Sequence, residues 1–297
     1  QVLNAPFYRN KSAYVFGQII NGSHRHPFAL AIVHNADGRL MVDAALFNPQ
    51  QIGVLASPMV TLEEAYLTQR IARGLGTDNL DHRLQRVDFS DQQHDPVFPW
   101  LGCAINELEQ MNSVLLIGSN LRKEAPLLAH RIRKAAVKKA AQISFINKHA
   151  YKYLFPVANY LASNGLAMVD HLAAVVAAAA QAKSIAIPAS VQALVQQAQI
   201  TDAHLSVAAQ LSAGERRLIL LGVLSQRDGA FAQLRALAAA LSQITGAQLG
   251  YIADGGNTVA AHLAGVLPHR GIAGEVLSTS GLNIAAMLEA QLKAYVV

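Results

Sequence analysis

Chemistry is first suggested by glycine turns that follow apolar runs. In "SVLLIGSNLRKEAP" (113–126), Gly118-Ser119-Asn120 sits between a buried-strand pattern and a helix start, where backbone amides can cradle a phosphate. "RLILLG" (217–222) repeats the arrangement at Gly222. Neither stretch is G-x-G-x-x-G or a P-loop, so a turn that only lets a helix pack on a sheet is the better reading of the motif alone. Eleven histidines raise metal chemistry. His24 and His26 stand two apart in "SHRHP", one face of a strand, with no third ligand signalled by spacing. His82 in "NLDHR" reads as a base held by Asp81 or as a turn histidine, and His149, His262 and His269 read as isolated. The one cysteine, Cys103, lies in "WLGCAINELEQ" and reads as a buried small hydrophobe on a helix. The carboxylate pairs Glu63/Glu64 and Glu107/Glu109 read as helix-dipole partners and solvated charge, and no G-x-S-x-G elbow occurs. The residues therefore describe a ligand-binding framework without a catalytic set.

Three units must position these turns. In 52–76 an apolar run meets a Ser-Pro turn, then Thr61 caps a helix whose face carries Leu62, Ala65, Tyr66, Leu67, Ile71 and Leu75. In 113–147, Val114–Ile117 form a strand buried on both faces, a helix runs to about Ala140, and "QISFIN" returns as a parallel strand. In 217–246 a third apolar strand leads into an alanine- and leucine-rich helix. Strands are expected at 52–56, 114–117, 142–146 and 218–221, and helices near 168–183, 189–199 and 202–213. The fold class is α/β, with Rossmann-like parallel sheets flanked by helices. Residues 1–50 form a separate, irregular segment with a candidate hairpin around Asn35–Gly38, and 51–297 the α/β region, in one lobe or two.

The chain has 297 residues, 52% hydrophobic and 14% charged, enough for a large core. Its net charge of +5 is concentrated in "RIRKAAVKK" (131–139) without aromatic neighbours. That favours a solvated face or an acidic partner over nucleic acid. A single cysteine precludes a disulfide framework or an iron–sulfur site within the chain and suits a cytoplasmic protein. No segment is apolar enough to span a bilayer, so no direct membrane insertion is expected. The chain does not begin with Met and reads as a piece of something longer.

Four stretches together carry a family resemblance: "TLEEAYLTQRIARGLGTDNLDHR" (61–83), "VLLIGSNLRKEAPLLAHRIRKAA" (114–136), "TGAQLGYIADGGNTVAAHLAGVLP" (245–268) and "GLNIAAMLEAQLKAYVV" (281–297). They resemble the molybdopterin-oxidoreductase-like region found in the large peripheral-arm subunit of bacterial NADH-quinone oxidoreductase, respiratory complex I. The resemblance covers about 50–297 and implies the fold of formate dehydrogenases and DMSO reductases, which grip a molybdenum or tungsten pterin. The family's metal ligand would fall within 81–100, where Ser90 is the one hydroxyl candidate and no cysteine occurs. Its pterin-contacting segment corresponds to Gly255-Gly256-Asn257, but a glycine expected three residues later is Ala260. The resemblance thus implies a vestigial site at Gly118, Ser119, Asn120, Gly222 and Asn257. No cofactor is expected in this chain, the parent subunit's iron–sulfur clusters lying outside it. The implied role is a scaffold among the other subunits of the complex I peripheral arm, which carries electrons from NADH to quinone at the inner membrane. An active molybdopterin-dependent oxidoreductase is the alternative, and a nucleotide-binding module a third reading.

Overall fold

The computed structural model describes the backbone of residues 12–21, 24–34 and 40–42, and the whole of residues 48–162 and 167–297. The chain begins with β1 (Ser12–Asn21), β2 (His24–His34), β3 (Leu40–Val42), β4 (Ile52–Leu55), α1 (Leu62–Gly74) and β5 (Leu80–Asp81). It continues through β6 (Ser113–Ile117), α2 (Leu121–Glu124), α3 (Pro126–Lys139), β7 (Gln142–Asn147), β8 (Asn159–Ala162), α4 (Met168–Lys183) and α5 (Ala189–Gln196). Then follow α6 (Asp202–Ser212), β9 (Arg217–Leu221), α7 (Val223–Gln226), α8 (Phe231–Thr245), β10 (Gln248–Tyr251), α9 (Thr258–Ala264), α10 (Ile284–Glu289) and β11 (Ala294–Val296). These elements form two compact units, one of residues 1–84 with 260–297 and one of residues 85–259.

The 85–259 unit is a five-stranded parallel sheet in the order β10-β9-β6-β7-β8. All five β6 residues are buried, as a strand covered on both faces requires. Alternation divides its neighbours. Leu115, Ile117, Ile219 and Leu221 point into a core with α4, α5, α6 and α8. Val114, Leu116, Leu218 and Leu220 face α3 and Met111 on the other side. The expected strands at 114–117, 142–146 and 218–221 are present and mutually parallel in β6, β7 and β9. α4 is buried almost all round because its alanines, Ala173, Ala174, Ala178, Ala179 and Ala180, let neighbouring helices approach closely. The helix expected to begin at Glu124 and Pro126 and run to about Ala140 is α3, preceded by the short α2; in the stretch expected to hold one long helix after Gly222, residues 227–230 separate α7 from α8. Pro126 at the α3 start lacks only an N–H that had no partner there.

In the other unit, β11-β4-β5 form a small parallel sheet. Thr61 caps α1 reciprocally, its Oγ1 accepting from Glu64 N at 3.2 Å while its own N–H donates to Glu64 Oε2 at 2.8 Å. The buried face of α1 differs from the expected one. Ala65, Gln69 and Ala72 turn inward, whereas Leu62, Tyr66, Leu67 and Ile71 are exposed. Ala65 and Ala72 share a core with Val54, Ala56, Leu80, Ala261, Ala264 and Val266, packing that admits only small helix residues. β1 and β2 pair antiparallel, as do β2 and β3; the expected turn at Asn35–Gly38 lies outside the described residues.

Candidate functional site

Strand order reverses beside β6: β7 and β8 continue to one side, β9 and β10 to the other. Ligands of open parallel sheets bind at the carboxyl ends of the strands flanking such a reversal. Here those ends are Gly118-Ser119-Asn120 after β6 and Gly222 after β9, so four of the five sequence-derived residues come together. The fifth, Asn257, lies beyond β10 in the turn before α9 and makes no bond to this group among the described residues.

The amides of both turns are bonded within the protein. Gly118 N donates to Ile146 O and Gly222 N to Ile117 O, each at 2.8 Å, and Ser225 N donates to Gly118 O at 3.1 Å. Ser119 N donates to Asn147 Oδ1 at 2.7 Å. The rest converge on Glu124. Asn120 N donates to its Oε1 at 2.6 Å, Ser119 Oγ to its Oε2 at 2.9 Å, and Val223 N to the same oxygen at 3.3 Å. A carboxylate thus bridges the two turns at the place where a phosphate would accept these bonds. Sequence reasoning placed Glu124 at a helix start; the strand–Gly-x-x-x-x-x-Glu spacing alone does not reveal that it reaches the second turn.

The glycines serve the approach of the turns to each other. A Cβ on Gly118, which has φ +60, would stand 2.4 Å from Ser225 N, and one on Gly222 2.3 Å from Gly118 O. Beside the turns lies a cavity of about 220 Å³ lined by Gly118, Asn147, Lys148, His149 and Arg227, among others. Small-molecule sites more often span about 300–1,000 Å³. Its cations are engaged, Lys148 Nζ with Asp228 at 2.7 Å and Arg227 with Asp254. A pterin cofactor does not fit this set of residues: its phosphates would meet Glu124 and no uncommitted turn amide named above.

Other candidate residues are placed as follows. Cys103 is buried, but in a bend before the 3-10 turn Ile105–Gln110 instead of on an apolar helix. Burial, then the charge of Glu107, pushes its thiol up to about 11. Ser90 is exposed and its hydroxyl donates to Asp88 Oδ1 at 2.7 Å. Asp81 does not hold His82 as a base. Its carboxylate accepts from Arg83 Nε at 2.9 Å and Nη2 at 2.8 Å. Burial would raise that carboxyl, but the guanidinium outweighs it and holds it down at about 2. His82 instead donates from Nδ1 to Val266 O at 2.8 Å. Burial lowers its pKa. His262, expected to be isolated, stands edge-on to the His82 ring at 4.6 Å, a pairing hidden by 180 residues of separation. Glu109, expected to be solvated, pairs with Arg131 and, at 3.2 Å, with Lys134. The side chains of His24 and His26 lie outside the described residues. Among the described residues no group of three or more His, Cys, Asp or Glu could hold a metal. No described helix is long and apolar enough to cross a membrane.

Residues 41–291 match the molybdopterin oxidoreductase family. The chain belongs to that family. A solved chain from the formyltransferase/hydrolase complex of Methylorubrum extorquens, with methylofuran, has the same fold, with a TM-score of 0.51 and 16% identity over 80% of this chain and 66% of that one. The first 59 residues match a different family, the regulatory domain of isocitrate dehydrogenase kinase/phosphatase. Over 57 residues the chain is 53% identical to that enzyme from Azoarcus sp. (strain BH72) and 54% identical to the one from Aromatoleum aromaticum, 19% of this chain in each case. It spans about a tenth of the length of these curated relatives.

Proposed function

We propose that the α/β region is a scaffold: a molybdopterin oxidoreductase fold without a redox centre of its own, seated among other subunits of a larger enzyme. The observation that carries this reading is Glu124, whose carboxylate takes the turn donors a cofactor phosphate would need. The exposed α1 residues Leu62, Tyr66, Leu67 and Ile71 supply an apolar strip suited to a neighbouring subunit. The motifs at 61–83, 114–136 and 245–268 favour the peripheral arm of complex I, on the NADH-to-quinone route at the membrane surface. The likeness to the Methylorubrum chain favours a formyltransferase/hydrolase assembly instead. Kinase or phosphatase activity is not adopted, because that match spans about a tenth of those enzymes.

Affinity purification of the tagged chain from its native cells tests this. Co-purification with NADH-dehydrogenase subunits is expected on the first assembly, and with formyl-transferring subunits on the second. A monomer carrying stoichiometric metal and pterin would overturn the scaffold.

A further inference from the structure

A second cavity, of about 530 Å³, opens among the first turns of α4 and α6 and the end of α5. His171 and His204 line it, and both are buried. Their rings are joined, His171 Nδ1 to His204 Nε2, at 3.0 Å. His204 Nδ1 accepts the Thr201 backbone N–H at 3.0 Å and stands 2.9 Å from Thr201 Oγ1, whose hydroxyl can donate to the same nitrogen. The backbone bond fixes the protons. A neutral imidazole carries one, so in His204 it sits on Nε2 and is donated to His171 Nδ1. The His171 proton is therefore on Nε2, a buried donor with no partner among the described residues. An unmatched buried donor is destabilising, and a bound acceptor relieves that cost.

The remaining lining selects the acceptor. Val169, Leu194 and Ala198 give an apolar wall, Gln197 adds a carboxamide, and no lining residue is a lysine or arginine. Asp170 puts a carboxylate at the same cavity, one oxygen accepting from Ala167 N at 3.0 Å. A second carboxylate there would be repelled, whereas an N–H would find an acceptor. A metal on His171 Nε2 would push both protons along the pair and set His204 Nδ1–H against the Thr201 N–H.

We propose that this cavity binds a small uncharged amide, its carbonyl accepting from His171 Nε2–H, its N–H facing Asp170 and its apolar body against Leu194. The site does not depend on the scaffold reading.

Two-bond proton–nitrogen spectra of the ¹⁵N-labelled full chain, titrated with butyramide, provide the test. The His171 Nε2 resonance should shift saturably, with butyrate at least about tenfold weaker and zinc(II) leaving that nitrogen unligated. H171F should abolish binding. L194W, which fills the cavity and leaves both histidines in place, should abolish it while the His204 signals stay in place, and it decides the matter if H171F does not fold. No saturable shift with butyramide, a shift undiminished in L194W, or tighter binding of butyrate or zinc at His171 would overturn the proposal.

Discussion

Glu124 shows how a carboxylate can close a cradle that otherwise invites a ligand. Its two oxygens collect a hydroxyl and two backbone N–H groups from turns that follow different strands. It therefore ties β6 to β9 at the end where a parallel sheet is least covered. Removing it leaves Asn120 N and Val223 N without their acceptor. The variant E124A should lose about 1.5–3 kcal/mol of stability, since hydrogen bonds to a charged group are worth that much. E124Q keeps one acceptor oxygen and should lose about half as much. Urea denaturation read by circular dichroism gives both values. A variant as stable as the parent would show that these bonds contribute nothing, and would remove the main support for the scaffold reading.

Helices make the corresponding distinction between small and large apolar residues. α4 is apolar in composition and buried nearly all round, whereas the amphipathic α1 buries Ala65 and Ala72 while exposing Leu67 and Ile71. Overpacking and surface change should therefore differ. A178L in α4 must force a branched side chain between close helices and should cost about 1–3 kcal/mol. The double change of Leu67 and Ile71 to Lys should stay within about 0.5 kcal/mol, because nothing in its own unit covers them. Thermal unfolding of the two variants checks the contrast; equal losses would mean that α1 is packed. The strands were legible because a run such as Val114–Ile117 followed by glycine has one economical use, a parallel strand under helices. The α1 face was not legible. Periodicity marks apolar residues, but what lies opposite decides which of them fit, and Ala261 and Ala264 arrive from almost 200 residues away. The Glu124 bridge and the His171–His204 pair escaped the sequence for the same reason: each joins groups from separate elements, and spacing along the chain carries no trace of that.

At the scale of the whole molecule, one chain carries matches to two families that overlap over residues 41–59. The longer match shows a fold whose relatives grip a metal–pterin group, so metal content is the decisive measurement. Soft metals and iron–sulfur clusters need thiolates. The one thiol, Cys103, is buried with its pKa pushed up to about 11, so it stays protonated near neutral pH. The interval expected to hold a metal ligand offers Ser90, whose hydroxyl is engaged with Asp88. The turn amides are taken up by Glu124, Asn147 and neighbouring carbonyls. On the proposed scaffold reading, these features work against the cofactor at its metal ligand and at its phosphate. Protein purified from cells grown with added molybdate, tungstate and iron should therefore contain each metal far below one per chain and release no fluorescent pterin on denaturation. Reduction by dithionite should leave its visible spectrum unchanged. E124A, with the turn donors vacated, should still hold no metal, because removing the carboxylate supplies no thiolate. Stoichiometric molybdenum or tungsten in the parent protein would mean that the turns rearrange around a cofactor, and would favour the active oxidoreductase.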